Sequence, residues 1–425
     1  MIFRIKPILL VLLIFVISLL CQVKLVSAKS SVQNLYLEQL SVEDGLSQGT
    51  IHSILADKSG FIWLATDNGL NIYDGYTVKQ LPGPNNSFLN AGVYFVKQDS
   101  LGFIWINVGD SVYRYQPTTN QYQLIQSNSP ESANTFVVDV TEGNNSNNEP
   151  GYWLAKNKTI SFYRAETNVL QVKVDLTKAL SEKDNIFQIK YYQQVLYIGT
   201  RVGVYAYHVK LNKWRKLPNL LAKSALGSIN VVEANKSFAL HISDQNSLYL
   251  GTGDGVFSVN IKNIKDYIQG RAEVEAYKRV LANLSVWQFL FVDHQLYVTS
   301  DKGLHVIDTG KPQGKLLFGI SDFFENTAND EIISIAQDNS GVFWLGSGSS
   351  GAYLWDPSRE LIKNYRYQKN KPNSLSGNSV WSIQAQQHNS SKVWVGTSNG
   401  LDLVDLEQGT IVQHKVTIKT KEQLS

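Results

Sequence analysis

Phe61-Ile62-Trp63-Leu64-Ala65-Thr66, Asp67-Asn68-Gly69 and Leu70-Asn71-Ile72-Tyr73 read as two apolar strands joined by a small polar turn, with one aromatic residue inside the first strand. Ile, Thr and aromatic side chains suit a pleated strand, and Asn, Asp and Gly tolerate the positive φ of a tight hairpin. The same wording returns around Trp105, Trp153, Tyr197, Tyr249, Tyr297, Trp344 and Trp394. Neighbouring copies lie between 42 residues (Trp63 to Trp105) and 52 residues (Tyr197 to Tyr249) apart, a period that suits a four-stranded propeller blade. Working outward, the first unit holds four strand-like runs, Thr50 to Ala56, Phe61 to Thr66, Leu70 to Tyr73 and Thr77 to Leu81. The expected fold is therefore all-β, built of four-stranded antiparallel blades. One short helical pattern, Ile264 to Arg279, interrupts the strands.

The 425 residues are 43% hydrophobic and 11% aromatic, enough for a large core, whereas a charged fraction of 18% and a net charge of +3 exclude nucleic acid as the partner. Arg4 and Lys6 precede an uncharged apolar run from Ile8 to Cys21, and Val26-Ser27-Ala28 supplies small residues for cleavage before Lys29. That is the layout of a signal peptide over residues 1–28, and Lys24 weighs against the alternative of an uncleaved anchor. The expected location is the periplasm, with inner-membrane anchoring as the variant reading. Cys21 is the single cysteine, and Leu20 before it does not suit a lipoprotein signal. A mature chain starting at Lys29 thus has no disulfide, thiolate metal site or cysteine nucleophile.

Chemistry is sparse in the wording. The seven histidines form no pair at metal-ligand spacing, so no metal site is expected. Asp67-Asn68-Gly69, Gly253-Asp254-Gly255 and Ser398-Asn399-Gly400 lack the alternating donors of a calcium loop and read as turns. Gly346-Ser347-Gly348-Ser349-Ser350-Gly351 falls where the hairpin after Trp344 belongs, with no helix behind it to make a nucleophile elbow or an anion site. The repeated Trp or Tyr reads as a packing anchor between twisted sheets. No cofactor and no catalytic residue are expected.

Trp355-Asp356 is the one Trp-Asp pair and no Gly-Gly pair occurs, which sets aside WD-type and kelch-type propellers. Asp44-Gly45-Leu46-Ser47, Thr50-Ile51-His52-Ser53-Ile54, Asp57-Lys58-Ser59-Gly60-Phe61-Ile62-Trp63-Leu64-Ala65-Thr66 and Gly69-Leu70-Asn71-Ile72-Tyr73-Asp74-Gly75 together resemble the two-component regulator propeller repeat of bacterial receptors. The likeness is strong at both ends of the chain and weaker in the middle, where Lys156-Asn157-Lys158 replaces a Gly-containing turn.

An internal match bears on blade number. Leu46-Ser47 with Thr50-Ile51-His52-Ser53-Ile54 pairs with Leu375-Ser376 followed by Ser379-Val380-Trp381-Ser382-Ile383, an offset of 329 residues or seven steps of 47. Strands at Leu35 to Leu40 and Leu361 to Tyr367 precede the two matches, and each is expected to open a ring as a leading strand that completes the ring's last blade. The expectation is a seven-bladed propeller over residues 29–360 and the first blade of a second, incomplete propeller over 361–425. A single eight-bladed ring is the alternative.

The resemblance implies the ligand-sensing part of an extracytoplasmic receptor whose output is a histidine kinase or diguanylate cyclase, modules this chain does not contain. It also implies a small-molecule or carbohydrate ligand, and self-association as a homodimer through further C-terminal parts. The alternatives are a protein-interaction scaffold and a propeller glycoside hydrolase using Asp67, Asp110, Asp254 or Asp301. For ligand binding the candidates are one hairpin per blade: Asp67, Asn68, Asp110, Arg201, Asp254, Asp301, Lys302 and Asn399.

Overall fold

A computed structural model describes residues 37–126, 137–181, 184–218, 237–243, 245–275, 277–310, 313–320, 330–358, 365–368, 373–386, 389–406 and 409–414. The expected signal peptide, with Cys21, lies outside them. Strand β1 is Leu37–Leu40, and the first blade follows as β2 (Ile51–Ala56), β3 (Ile62–Thr66), β4 (Gly69–Tyr73) and β5 (Val78–Leu81). These four pair in sequence order, each antiparallel to the next. Eight such four-stranded sheets are formed among the described residues, and the chain divides into two compact units, of which Tyr36–Pro357 carries seven sheets.

The seven sheets close into a ring. β1 supplies the fourth strand of the seventh sheet, pairing Leu37 with Trp355 and Leu40 with Ala352. At the same seam Ser334 Oγ donates to Ile51 O at 2.7 Å, and Ile51, Ile54 and Leu64 pack with Trp344 and Ala352. Blade one thus lies directly against blade seven, so a single eight-bladed ring does not form.

The eighth sheet, Val380–Gln386, Asn389–Thr397, Gly400–Asp405 and Thr410–His414, belongs to the other unit. Its small core is Leu375, Val395, Val404 and Ile411. The expected leading strand Leu361 to Tyr367 is not seen in its described part, where Tyr365–Gln368 is not in a strand. Residues 361–364 of that expected strand lie outside the described residues.

The repeated aromatics are packing anchors with an added polar tie. Trp63 Nε1 donates to Asp57 Oδ2 at 2.8 Å, Trp105 Nε1 to Asp99 Oδ2 at 3.1 Å and Trp344 Nε1 to Asp338 Oδ2 at 2.9 Å. The other oxygen of each aspartate accepts backbone N–H groups of its own turn, as Asp57 Oδ1 does from Ser59 and Phe61. Burying an indole without an acceptor for its N–H is costly, so an aspartate six residues upstream both shapes the turn and satisfies the ring. Blade three departs from this pattern. Asn145 occupies the turn there, and Trp153 Nε1 is buried with no hydrogen-bond partner among the described residues.

The expected helix shrinks to Ile264–Ile268, because Gly270 turns the chain at φ 78° and Lys278–Ala282 is recruited as the fourth strand of blade five.

Candidate functional site

One turn chemistry builds the hairpins on which the candidate residues sit. Thr66 Oγ1 donates to Gly69 O at 2.8 Å while accepting the Asn68 N–H, and Thr200, Thr252, Ser300 and Thr397 repeat both contacts in their own blades. The closing residue is glycine, since its φ is positive (126° at Gly255) and a Cβ there would lie 2.1 Å from Leu281 O. These hairpins reach the loops that enter the innermost strands: Gly69 N donates to Ala91 O and Gly109 N to Gly92 O, each at 2.8 Å. Hairpins and strand entries therefore share one face of the ring.

On that face every innermost strand carries the same irregularity. Pairing slips by one residue between Ile51 and Ser53, Val93 and Phe95, Val137 and Asp139, Ile186 and Gln188, Ser237 and Ala239, Val286 and Gln288, and Ile332 and Ser334. A bulge leaves one extra residue unpaired and re-aims its side chain. The extra residues are His52, Tyr94, Val138, Phe187, Phe238, Trp287 and Ile333, all half-buried except the exposed Tyr94. Five of the seven are rings, and neighbours touch around the rim: His52 and Tyr94 at 5.3 Å, Phe187 and Phe238 at 5.0 Å, Phe238 and Trp287 at 5.4 Å.

In five of the seven blades the residue after the bulge clips one blade to the next, Phe95 and Ala239 being the apolar exceptions. Ser53 Oγ accepts the Val96 N–H at 3.3 Å, Asp139 Oδ2 accepts Ile189 N–H at 2.9 Å, Gln188 Oε1 accepts Leu240 N–H and Gln288 Oε1 accepts Ile335 N–H at 3.0 Å. Below this level the innermost strands enclose a cavity of about 460 Å³, lined by Lys97, Glu142, Gln188, Lys190, Gln288 and Gln337 among others.

The candidate residues of the seven-bladed unit lie on this rim in varied circumstances. Asp67 Oδ1 meets His52 Nε2 at 2.7 Å, and Asn68 Nδ2 donates to Ser47 O at 3.3 Å. Asp254 pairs with Arg279 at 3.0 Å, Asp301 Oδ1 accepts the Ser285 N–H at 2.8 Å and Lys302 donates to Asn283 O. Asp110 and Arg201 are exposed hairpin residues. Asn399 stands in the eighth sheet, apart from the seven-bladed unit. Glu331 on the loop entering blade seven is pushed above the usual carboxylate range, by burial first and by Asp301 second. The carboxylates of Asp67, Asp254 and Asp301 thus serve the rim's own architecture. No group of three metal-ligating side chains occurs among the described residues.

What the hairpin reading missed is the aromatic rim itself. Its signal was present: an aromatic residue second in the first strand, as in Ile51-His52, Val93-Tyr94, Ile186-Phe187 and Val286-Trp287. Strict alternation would send that residue into a blade face, and only the bulge turns it to the rim.

Residues 45–68 match the family model described as the two component regulator propeller. The chain carries that repeat. Among solved structures it is similar to the extracellular domain of the hybrid two component system BT3049 from B. thetaiotaomicron (TM-score 0.61, 18% identity, covering 91% of this chain and 51% of that one). It is similar also to the extracellular domain of the one component system BT4673 from the same organism (TM-score 0.55, 20% identity, 91% and 48%). Virginiamycin B lyase from Staphylococcus aureus aligns at TM-score 0.52 and 10% identity, over 76% of this chain and 99% of its own. The chain therefore spans about half the length of the two receptor domains. At these identities the likeness is one of fold, and the propeller is common to a regulator and an enzyme. No curated protein matches the sequence.

Proposed function

We propose that this chain is the ligand-binding propeller of an extracytoplasmic bacterial receptor, and that the aromatic rim is where the ligand lands. The observation that carries this is the repeated bulge, which brings His52, Tyr94, Phe187, Phe238 and Trp287 to one face beside polar hairpins. Stacked rings flanked by hydrogen-bonding groups suit the apolar face of a sugar ring and its hydroxyls, so a carbohydrate fragment is the ligand class we favour. Asp67, Asn68, Asp110, Arg201, Asp254, Asp301 and Lys302 stand around the rings as polar partners. The repeat and the receptor neighbours support signalling, with export from the cytoplasm following from the N-terminal layout; among the described residues no helix is long and apolar enough to cross a membrane. Catalysis is assigned to neither the rim nor the hairpins.

The eighth sheet we read as the first blade of a second propeller. Its innermost strand presents Val380, Trp381 and Ile383 at 43%, 80% and 66% exposure, a face that another blade would cover.

The test is titration of the full chain with a panel of mono- and oligosaccharides, followed by isothermal calorimetry. A saturable change that Trp287→Ala and Phe238→Ala abolish is the expected result. Silence across the panel, or binding unaffected by both substitutions, would remove the rim from the proposal.

A further inference from the structure

We propose that the rim grips a linear ligand at two places at once, so that a chain of several sugar units lies across the mouth of the channel. This division of the site rests on the reading of the rim as the place where the ligand lands. The five rings do not form one circle. His52 and Tyr94 make one platform on blades one and two, and Phe187, Phe238 and Trp287 make another on blades four, five and six. At the same bulged position blade three carries Val138 and blade seven Ile333, so aliphatic side chains separate the platforms on both sides.

Sevenfold spacing fixes where the platforms stand. Blades repeat radially about a central channel, so each step turns the rim by one-seventh of a circle. From the middle of blades one and two to blade five is three and a half steps, or half a turn. The platforms therefore face each other across the mouth. The His52 and Tyr94 rings are inclined at 48°, and the Phe187–Phe238 and Phe238–Trp287 pairs at 48° and 39°. A parallel stack would hide ring faces that this tilt leaves open. Below the mouth lies the cavity of about 460 Å³, a size typical of sites that bury drug-sized ligands.

The platforms differ in chemistry, which gives the ligand a direction. The first carries polar ring edges: His52 Nε2 meets Asp67 Oδ1 at 2.7 Å, and Tyr94, with its phenol, is the exposed member of the rim. The second is hydrocarbon apart from the indole N–H of Trp287. A bare sugar face thus stacks over blades four to six, and a hydroxyl-rich end meets blades one and two. Two weak contacts on one chain reinforce each other, because the first holds the second at high effective concentration.

The experiment is calorimetric titration of the full chain with neutral gluco-, xylo- and manno-oligosaccharides of one to six units. Affinity is expected to climb about a hundredfold at the length that first reaches both platforms. Phe238→Leu, which keeps an apolar side chain, and Tyr94→Ala, at an exposed position, should each return the long chain to the affinity of the short one while leaving the melting temperature nearly unchanged. A monosaccharide should be weakened by Phe238→Leu and untouched by Tyr94→Ala. Affinity that does not grow with length, or a long chain that Phe238→Leu weakens and Tyr94→Ala does not, would overturn the two-platform site and leave a rim with one platform. No binding by any chain, or binding indifferent to both substitutions, would overturn the rim as the ligand site and the two platforms with it.

Discussion

Blade one and the eighth sheet are written almost alike and end in different surroundings. Leu46-Ser47 is held to the third strand of its blade through Asn71, whose Oδ1 accepts the Ser47 N–H at 3.2 Å and whose Nδ2 donates to Ser47 Oγ at 2.7 Å. Leu375-Ser376 is held the same way, with Asp402 Oδ2 accepting the Ser376 N–H at 2.8 Å and the hydroxyl at 2.9 Å. Both serines also touch the hairpin threonine, Thr66 or Thr397. The local frame is therefore common to both. The difference lies in the first strand: Ile54 is 5% exposed in the ring and its counterpart Ile383 is 66% exposed. A blade's hydrogen bonds are its own, but one face of its inner strand is completed by a neighbour.

The largest effect expected from this comparison concerns aromatic anchors. Trp63, buried against the neighbouring blade and tied to Asp57, should cost ~3–5 kcal/mol on replacement by alanine. Trp381→Ala should change the stability of this chain by no more than about 0.5 kcal/mol. Urea unfolding of the two variants would check this, and equal losses would erase the distinction between a closed ring and an open face.

A second, smaller contrast sits in the serine ties. Ser376 donates to a carboxylate and Ser47 to none, so Ser376→Ala should lower the local stability of its sheet by ~1.5–3 kcal/mol and Ser47→Ala by about 1 kcal/mol. Native-state hydrogen exchange at Val395 and Leu64 reads the two sheets separately; a larger loss in blade one would reverse the ranking.

The smallest effect is a pH dependence at the same structural position. His305 in blade six stands where blade one has Asn71 and the eighth sheet has Asp402, second after the hairpin glycine. Burial holds its imidazole below the ordinary 6.5, with Ser300 Oγ 3.3 Å from Nδ1. Below pH 6.5 the unfolded chain takes up a proton that the folded ring resists, so the ring loses stability as pH falls from 6.5 toward the lowered value. His305→Asn should flatten that part of the profile in thermal melts, and a slope unchanged by the substitution would assign the acid sensitivity elsewhere.

Much of the blade was legible because its signals are local. The strands were expected at Phe61 to Thr66 and Leu70 to Tyr73 and run Ile62–Thr66 and Gly69–Tyr73, bounded by turn residues that any short window displays. The candidate site was half legible. Hairpin residues such as Asp67, Asp254 and Asp301 are where the turn chemistry put them, yet their partners His52, Arg279 and Ser285 lie 15 to 25 residues away and follow no local rule. The aromatic rim escaped because a bulge breaks the two-residue alternation on which strand faces are assigned.

The sequence by itself determined that this protein is a series of four-stranded blades with Asn/Asp-Gly hairpins, since strand alternation and turn φ preferences act over a few residues. Tertiary structure decided the rest: that the bulged aromatics meet at one rim, and that Lys97 of blade two reaches Asp139 of blade three. Each of those depends on which blade becomes whose neighbour, a contact between segments tens to hundreds of residues apart that no short window of sequence contains.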